Sequence, residues 1–180
     1  MIKLEYFNKE DFQQLINWVS DEHLMTNWAG SLFNFPLTEE KLEWYIDNTN
    51  DPETSDALIY KAIDLDNGNI VGHVSLGGIS RKNNAARISR VLVGNTAERG
   101  KGICTGMIKA VCKIGFEELM LHRISLGVYD FNTPAIRCYQ KCGFIIDGIL
   151  RDVLRYNNTY WNLAEMSMLE DDWKNLISTK

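Results

Sequence analysis

The chain has 180 residues, enough for one well-buried core, and we expect residues 1–180 to form a single domain. Its composition is 45% hydrophobic and 24% charged, which is typical of a globular protein and excludes a disordered or fibrous one. The net charge of −5 provides no broad basic field, so we expect neither nucleic acid nor a membrane surface as a partner. The charged first residues and the lack of a long apolar run predict a cytoplasmic protein.

The first half of the chain predicts two helices and four strands. Residues 2–7 alternate as a strand, and residues 10–19 carry apolar side chains at helical spacing. An aromatic-rich loop follows, after which Thr38 is a suitable N-cap for a helix over residues 39–48. Residues 57–64 and 69–76 flank Asp66, Asn67 and Gly68, which favour a two-residue hairpin turn. Residues 85–93 form the next strand.

The second half predicts a long buried helix over residues 102–119, followed by a strand over residues 123–129. Because a long helix links this strand to the preceding one, the two strands are expected to be parallel. Thr133 and Pro134, as N-cap and N1, begin a helix that ends near Cys142.

The last predicted elements are strands over residues 144–154 and 160–169, which form a terminal hairpin. Its open sheet edge makes a homodimer plausible. The fold class is therefore α+β, with a mixed, mostly antiparallel, twisted sheet and helices on both of its faces.

Cysteine and histidine usage gives no sign of a metal site. Four cysteines lie in apolar, helix-like stretches, which predicts reduced packing residues: Cys104, Cys112, Cys138 and Cys142. Three histidines are scattered without the spacing of metal ligands: His23, His73 and His122.

The stretch VLVGNTAERGKGICTGM, residues 91–107, places Arg99, Gly100, Lys101 and Gly102 between a strand and a helix. Free N–H groups at a helix N-terminus, together with cations, favour an anion such as a diphosphate. A solvated strand-to-helix turn is the alternative. A Walker loop is excluded, because five residues separate Gly94 from Gly100. A dinucleotide fingerprint is excluded because its third glycine is replaced by Thr105.

Two motifs of the chain resemble those of the GNAT superfamily of N-acetyltransferases. The coenzyme A loop of that family has Gln or Arg, two residues, Gly, one residue, then Gly or Ala. Here Arg99 and Gly102 fill the first two positions, and Cys104 is a small-residue departure at the last one. A second signature is matched within residues 126–144 by Asn132, Ala135, Tyr139, Lys141, Gly143 and Phe144. The last strands and the aromatic loop resemble the branch of ribosomal-protein-alanine and polyamine acetyltransferases.

The resemblance implies acetyl-CoA as cosubstrate, bound in a V-shaped gap between two splayed strands. It implies that main-chain groups of Leu92 and Val93 hold the pantetheine arm and that Asn132 is a further coenzyme contact. The diphosphate contacts would come from Arg99, Gly100, Lys101, Gly102, Ile103, Cys104 and Thr105. Tyr139 falls at the position of the general acid, which protonates the departing thiolate.

The general base is not fixed by the resemblance, because Arg87 stands at the position where many relatives have Glu. His73 is our candidate, since an ordinary imidazole accepts a proton near neutrality. Glu165 and an ordered water relay are alternatives. Arg87 and Arg90 either meet an acidic acceptor or are surface residues.

The sequence therefore predicts an acetyl-CoA-dependent N-acetyltransferase that acts on a primary amine. The acceptor is a protein N-terminal amine or a small amine, of which a polyamine or an aminoglycoside are examples. A non-catalytic acyl-CoA-binding module is the rival from another class.

Overall fold

A computed structural model describes residues 1–95 and 100–178 of the chain. The strands are β1 Ile2–Tyr6, β2 Ala57–Asp64, β3 Ile70–Ser80, β4 Ala85–Val93, β5 Arg123–Tyr129, β6 Ile145–Tyr156 and β7 Thr159–Leu169. The α-helices are α1 Phe12–Trp18, α2 Glu22–Ala29, α3 Glu39–Ile46, α4 Ile103–Lys113, α5 Thr133–Lys141 and α6 Glu170–Ser178. None of the helices within these residues is long and apolar enough to cross a membrane.

The described strands form one sheet in the order β1-β2-β3-β4-β5-β7-β6. Neighbouring strands run antiparallel except β4 and β5, which are parallel, as a connection through a long helix requires. The predicted mixed, mostly antiparallel sheet is confirmed.

The parallel pair separates half-way along its length. Its register runs from Ala85 opposite Arg123 to Ile88 opposite Leu126, whereas β4 continues to Val93 and β5 to Tyr129. The two strands therefore splay apart in a V at their carboxyl ends, as predicted.

Helices cover both faces of the sheet because side chains of a strand alternate between its faces. Leu58 and Tyr60 belong to the core beneath α4, α5 and α6, whereas Ile59 belongs to the core beneath α1, α2 and α3. The predicted helices on two faces are confirmed.

Three local predictions are corrected by the structure. The connection between β2 and β3 has five residues rather than two, because β2 ends at Asp64 and β3 begins at Ile70. Within it, the Gly68 N–H donates to the Asp64 carbonyl oxygen at 2.7 Å. The N-cap of α5 is Asn132 rather than Thr133, because the Asn132 side chain accepts from the Ala135 N–H at 3.3 Å. Helices α2 and α6 were not predicted. Asp21 is the N-cap of α2 and accepts from the Leu24 N–H at 2.8 Å, so its position before Glu22 is a signal that could have found this helix.

Candidate active site

The splay between β4 and β5 opens into a cavity of about 690 Å³. Its walls are residues 87–93 of β4 and 126–129 of β5, with the first turn of α4, one side of α5 and the end of α2 around them. Most of the predicted site residues line it: Leu92, Val93, Gly100, Gly102, Ile103, Cys104, Thr105, Asn132 and Tyr139. Tertiary packing thus brings together segments that are far apart along the chain.

The N-terminus of α4 lines part of this cavity with backbone groups that no described side chain caps. Gly102 is the N-cap and has a left-handed backbone with φ of 85°, and no side chain of the described residues caps the helix. Gly100 has a similar φ of 84°, and a Cβ built on either glycine would meet no atom within 4 Å. The first turn therefore offers free N–H donors and open space to an anion. Lys101 is exposed in the same loop, whereas Arg99 lies outside the described residues.

Tyr139 of α5 also lines the cavity. The residue is 6% exposed, and its ring packs against Phe144. Burial, and to a lesser degree the neighbouring Cys142, raises the pKa of the Tyr139 hydroxyl above its ordinary value. The phenol is therefore protonated at neutral pH, which is the state that a proton donor needs.

A disulfide joins Cys104 in the first turn of α4 to Cys138, the residue before Tyr139. The prediction of four reduced cysteines is thus wrong for this pair and confirmed for Cys112 and Cys142, which are buried and form no disulfide with another described residue. Sequence spacing gave no hint of the bond, because the two cysteines approach one another only when α4 and α5 pack together.

His73 is placed away from the cavity. It is 1% exposed beneath the helices of the α1–α3 face, with Phe7 stacked on its ring and its Nε2 3.4 Å from the Tyr45 hydroxyl. Burial, with a smaller contribution from the Arg90 charge, lowers the pKa of His73 to about 3. A neutral imidazole that does not line the cavity is poorly placed to accept a proton from a substrate there.

Arg87 of β4 and Glu165 of β7 form an ion pair that crosses the intervening strand β5. Arg87 donates from Nη1 to Oε1 of Glu165, and its Nη2 donates to Oε2 at 2.8 Å. Gly127 makes room for this pair, because a Cβ at that position would collide with Nη2 of Arg87. Both oxygens of the Glu165 carboxylate are thus occupied, which leaves this side chain little freedom to act as a base.

Arg90 adopts a left-handed backbone with φ of 52° at an irregularity in the pairing of β3 with β4. The Trp28 indole N–H donates to the Arg90 carbonyl oxygen at 2.9 Å. The Arg90 side chain donates from Nε to the Tyr45 hydroxyl at 2.9 Å and lies 4.9 Å from the centre of the Tyr45 ring. Contacts to two distant aromatic residues fix this arginine, which the sequence left as either a surface or an acceptor residue.

The charged side chains among the described lining residues are all basic: Arg87, Arg90, Arg137 and Lys141. Arg137 and Lys141 are exposed on α5, one turn apart, whereas Arg87 and Arg90 lie on β4. The described lining therefore favours anionic groups over polycations.

Comparison with known proteins agrees with this geometry. Residues 2–145 match the family described as acetyltransferase (GNAT) domain. The SPbeta prophage-derived uncharacterized N-acetyltransferase YokL of Bacillus subtilis (strain 168) is 27% identical over 154 residues, 86% of this chain and 82% of that protein. The putative ribosomal N-acetyltransferase YdaF of the same organism is 28% identical over 110 residues, 61% of this chain and 59% of that protein.

The fold is also that of a solved enzyme. The crystal structure of spermidine N-acetyltransferase from Vibrio cholerae in complex with CoA and spermine superimposes with a TM-score of 0.81, over 97% of this chain and 98% of that one. The sequence identity is 22%, so this likeness concerns the fold.

Proposed function

The chain belongs to the acetyltransferase (GNAT) family, and we propose that it transfers the acetyl group of acetyl-CoA to the primary amine of a small molecule. The observation that carries this proposal is the splay of β4 from β5 beyond the Ile88–Leu126 pair. It opens a cavity that is lined by the N-terminus of α4, which has no side-chain cap among the described residues, and by Tyr139.

The described residues fit coenzyme A. The N–H groups of Ile103, Cys104 and Thr105 at the α4 N-terminus would donate hydrogen bonds to the diphosphate oxygens, since left-handed glycines leave that end of the helix open. The strand edges at Leu92 and Val93, no longer paired with β5, would bind the amide groups of the pantetheine arm. When bound, the coenzyme supplies the acetyl group as an activated thioester.

Tyr139 is proposed as the general acid. Its raised pKa keeps the phenol protonated at neutral pH, so Tyr139 holds a proton that it would donate as the thiolate departs. Loss of a general acid typically slows such a reaction by about 10²–10⁴-fold.

The amine must lose a proton before it attacks, and we propose that this proton leaves through water in the cavity. His73 is buried outside the lining, and Glu165 is held by Arg87. A water relay needs no dedicated side chain and is compatible with both observations.

The acceptor is proposed to be a small amine that is not a polycation. The Vibrio cholerae enzyme is a spermidine N-acetyltransferase, but the charged lining residues described here are basic. Arg90, Arg137 and Lys141 would repel a polyamine or an aminoglycoside, each of which carries several positive charges, whereas Arg87 is paired with Glu165. A protein N-terminal amine is the second candidate, because it carries one charge.

A panel of amines incubated with acetyl-CoA, followed through the release of free thiol, tests the proposal. We expect release with at least one amine, and a Tyr139→Phe variant that loses about 10²-fold or more in kcat while its affinity for acetyl-CoA is retained. Acetyl-CoA binding without thiol release from any amine would instead support the non-catalytic module.

We also propose that two copies associate through the terminal hairpin. Strand β6 is at the sheet edge and carries exposed apolar side chains, among them Ile145 at 61% and Ile149 at 49% exposure. Apolar side chains on an exposed edge favour association. The Vibrio cholerae enzyme has been solved as a dodecamer.

A further inference from the structure

Arg90 lies in β4, where this strand has separated from β5 and lines the cavity. A left-handed φ at a residue other than glycine costs about 1–3 kcal/mol, and such residues cluster at functional sites. The hydrogen bond from the Trp28 indole to the Arg90 carbonyl oxygen holds the backbone in this conformation. The strand is therefore shaped locally to place this side chain.

The Arg90 guanidinium is half-buried and has a neutral partner. Its Nε–H is bonded to the Tyr45 hydroxyl, and its plane lies near the Tyr45 ring. Across residues 1–95 and 100–178, no carboxylate forms an ion pair with Arg90. Removing a cation from bulk water without an anionic partner costs free energy. A ligand carboxylate would offset that cost.

Arg87 shows the contrasting case on the same strand. Its charge is neutralised by the bidentate ion pair with Glu165, so this pair contributes no net charge to the cavity. Arg90 consequently contributes a net positive charge on the β4 side of the cavity.

We infer that the acceptor is a primary amine that also carries a carboxylate, and that Arg90 binds the carboxylate while the amine faces the splay. This inference rests on the proposed function and narrows its substrate class. The planar guanidinium matches the geometry of a carboxylate. Its Nε donates to Tyr45, and its Nη1 and Nη2 make no hydrogen bond to another residue of the described ranges. A free amino acid and a peptide with an acidic first residue share this chemistry.

The test compares each amine with its own amidated form, which lacks the carboxylate charge. For the wild type we expect kcat/KM to be about 10–100-fold higher for the carboxylate form, as for other charge-assisted hydrogen bonds. An Arg90→Gln variant should lose this ratio through KM, with kcat/KM for the amide within about threefold of wild type. Free amino acids and acidic peptides are tested in separate arms to identify the source.

Two further variants keep the test decisive if Arg90→Gln fails to fold. Arg90→Lys retains the positive charge but lacks the planar guanidinium that can bind a carboxylate with two hydrogen bonds, and it should keep part of the preference for the carboxylate form. Tyr45→Phe removes the hydroxyl that orients the guanidinium and should reduce the preference while leaving the charge. Arg155→Gln, at an exposed position of β6, is the matched control and should preserve the wild-type ratio.

The outcomes separate the two proposals. Thiol release that is equal for the acid and the amide, faster with spermidine, or unchanged in its ratio by Arg90→Gln overturns the carboxylate assignment and preserves the acetyltransferase. Absence of thiol release with every amine, in a folded protein, overturns the proposed function itself.

Discussion

Replacing Gly102 by valine should separate coenzyme binding from folding, because the chain offers a matched glycine elsewhere. Gly102 and Gly68 have φ of 85° and 74°, and a Cβ on either would meet no atom within 4 Å. Both substitutions therefore incur mainly the left-handed backbone penalty, about 1–2 kcal/mol. At about 2–4 °C per kcal/mol for a chain of this size, each variant should lose several degrees in Tm.

Only Gly102→Val should weaken acetyl-CoA binding, because Gly102 is the N-cap beside the free N–H groups of α4, whereas Gly68 lies in the β2–β3 connection. We expect calorimetry to show at least a tenfold loss of affinity, about 1.4 kcal/mol, for Gly102→Val. Gly68→Val should bind acetyl-CoA as the wild type does. Equal affinities of the two folded variants would refute the assignment of this helix end to the coenzyme.

Three other predictions concern stability and association. The pKa of His73 is about 3 in the folded protein and 6.5 for an ordinary imidazole, so the unfolded chain binds more protons between pH 3 and pH 6.5. The free energy of unfolding should therefore fall by about 1.4 kcal/mol per pH unit as the pH drops from 6.5 towards 3. Urea unfolding of His73→Gln across that window should lack this slope, and an unchanged slope would contradict the assignment. Reduction of the Cys104–Cys138 bond, which closes a 34-residue separation, should lower the free energy of unfolding by about 3–4 kcal/mol. Cys138→Ser should abolish this response to reductant and Cys112→Ser should retain it. Ile149→Glu on β6 should convert the oligomer to a monomer in sedimentation experiments, and a monomeric wild type would disprove the proposed association.

Local sequence patterns were sufficient for most of the strands. The bounds of β2 and β5 are those predicted. The signals for these strands, which are hydrophobic patterning and the turn or helix beside each strand, lie in residues adjacent along the chain. The missed helix α2 lies next to the aromatic-rich stretch, where hydrophobic side chains follow the packing of the aromatic core rather than a clear helical period. The length of the β2–β3 turn was misjudged because Asn67 and Gly68 suit several turn types.

By itself, the sequence determined the glycine-rich start of α4, the parallel connection after it and the position of Tyr139 on α5. These features depend on residue types within one or two adjacent elements. The tertiary structure decided that His73 is buried, that Glu165 is held by Arg87, and that the Arg90 charge lacks a carboxylate partner in the described part of the chain. The Arg87–Glu165 contact joins residues 78 positions apart, and the Arg90–Tyr45 contact joins residues 45 apart. Burial and charge compensation are set by such distant neighbours, so they arise only when the sheet and its helices pack together.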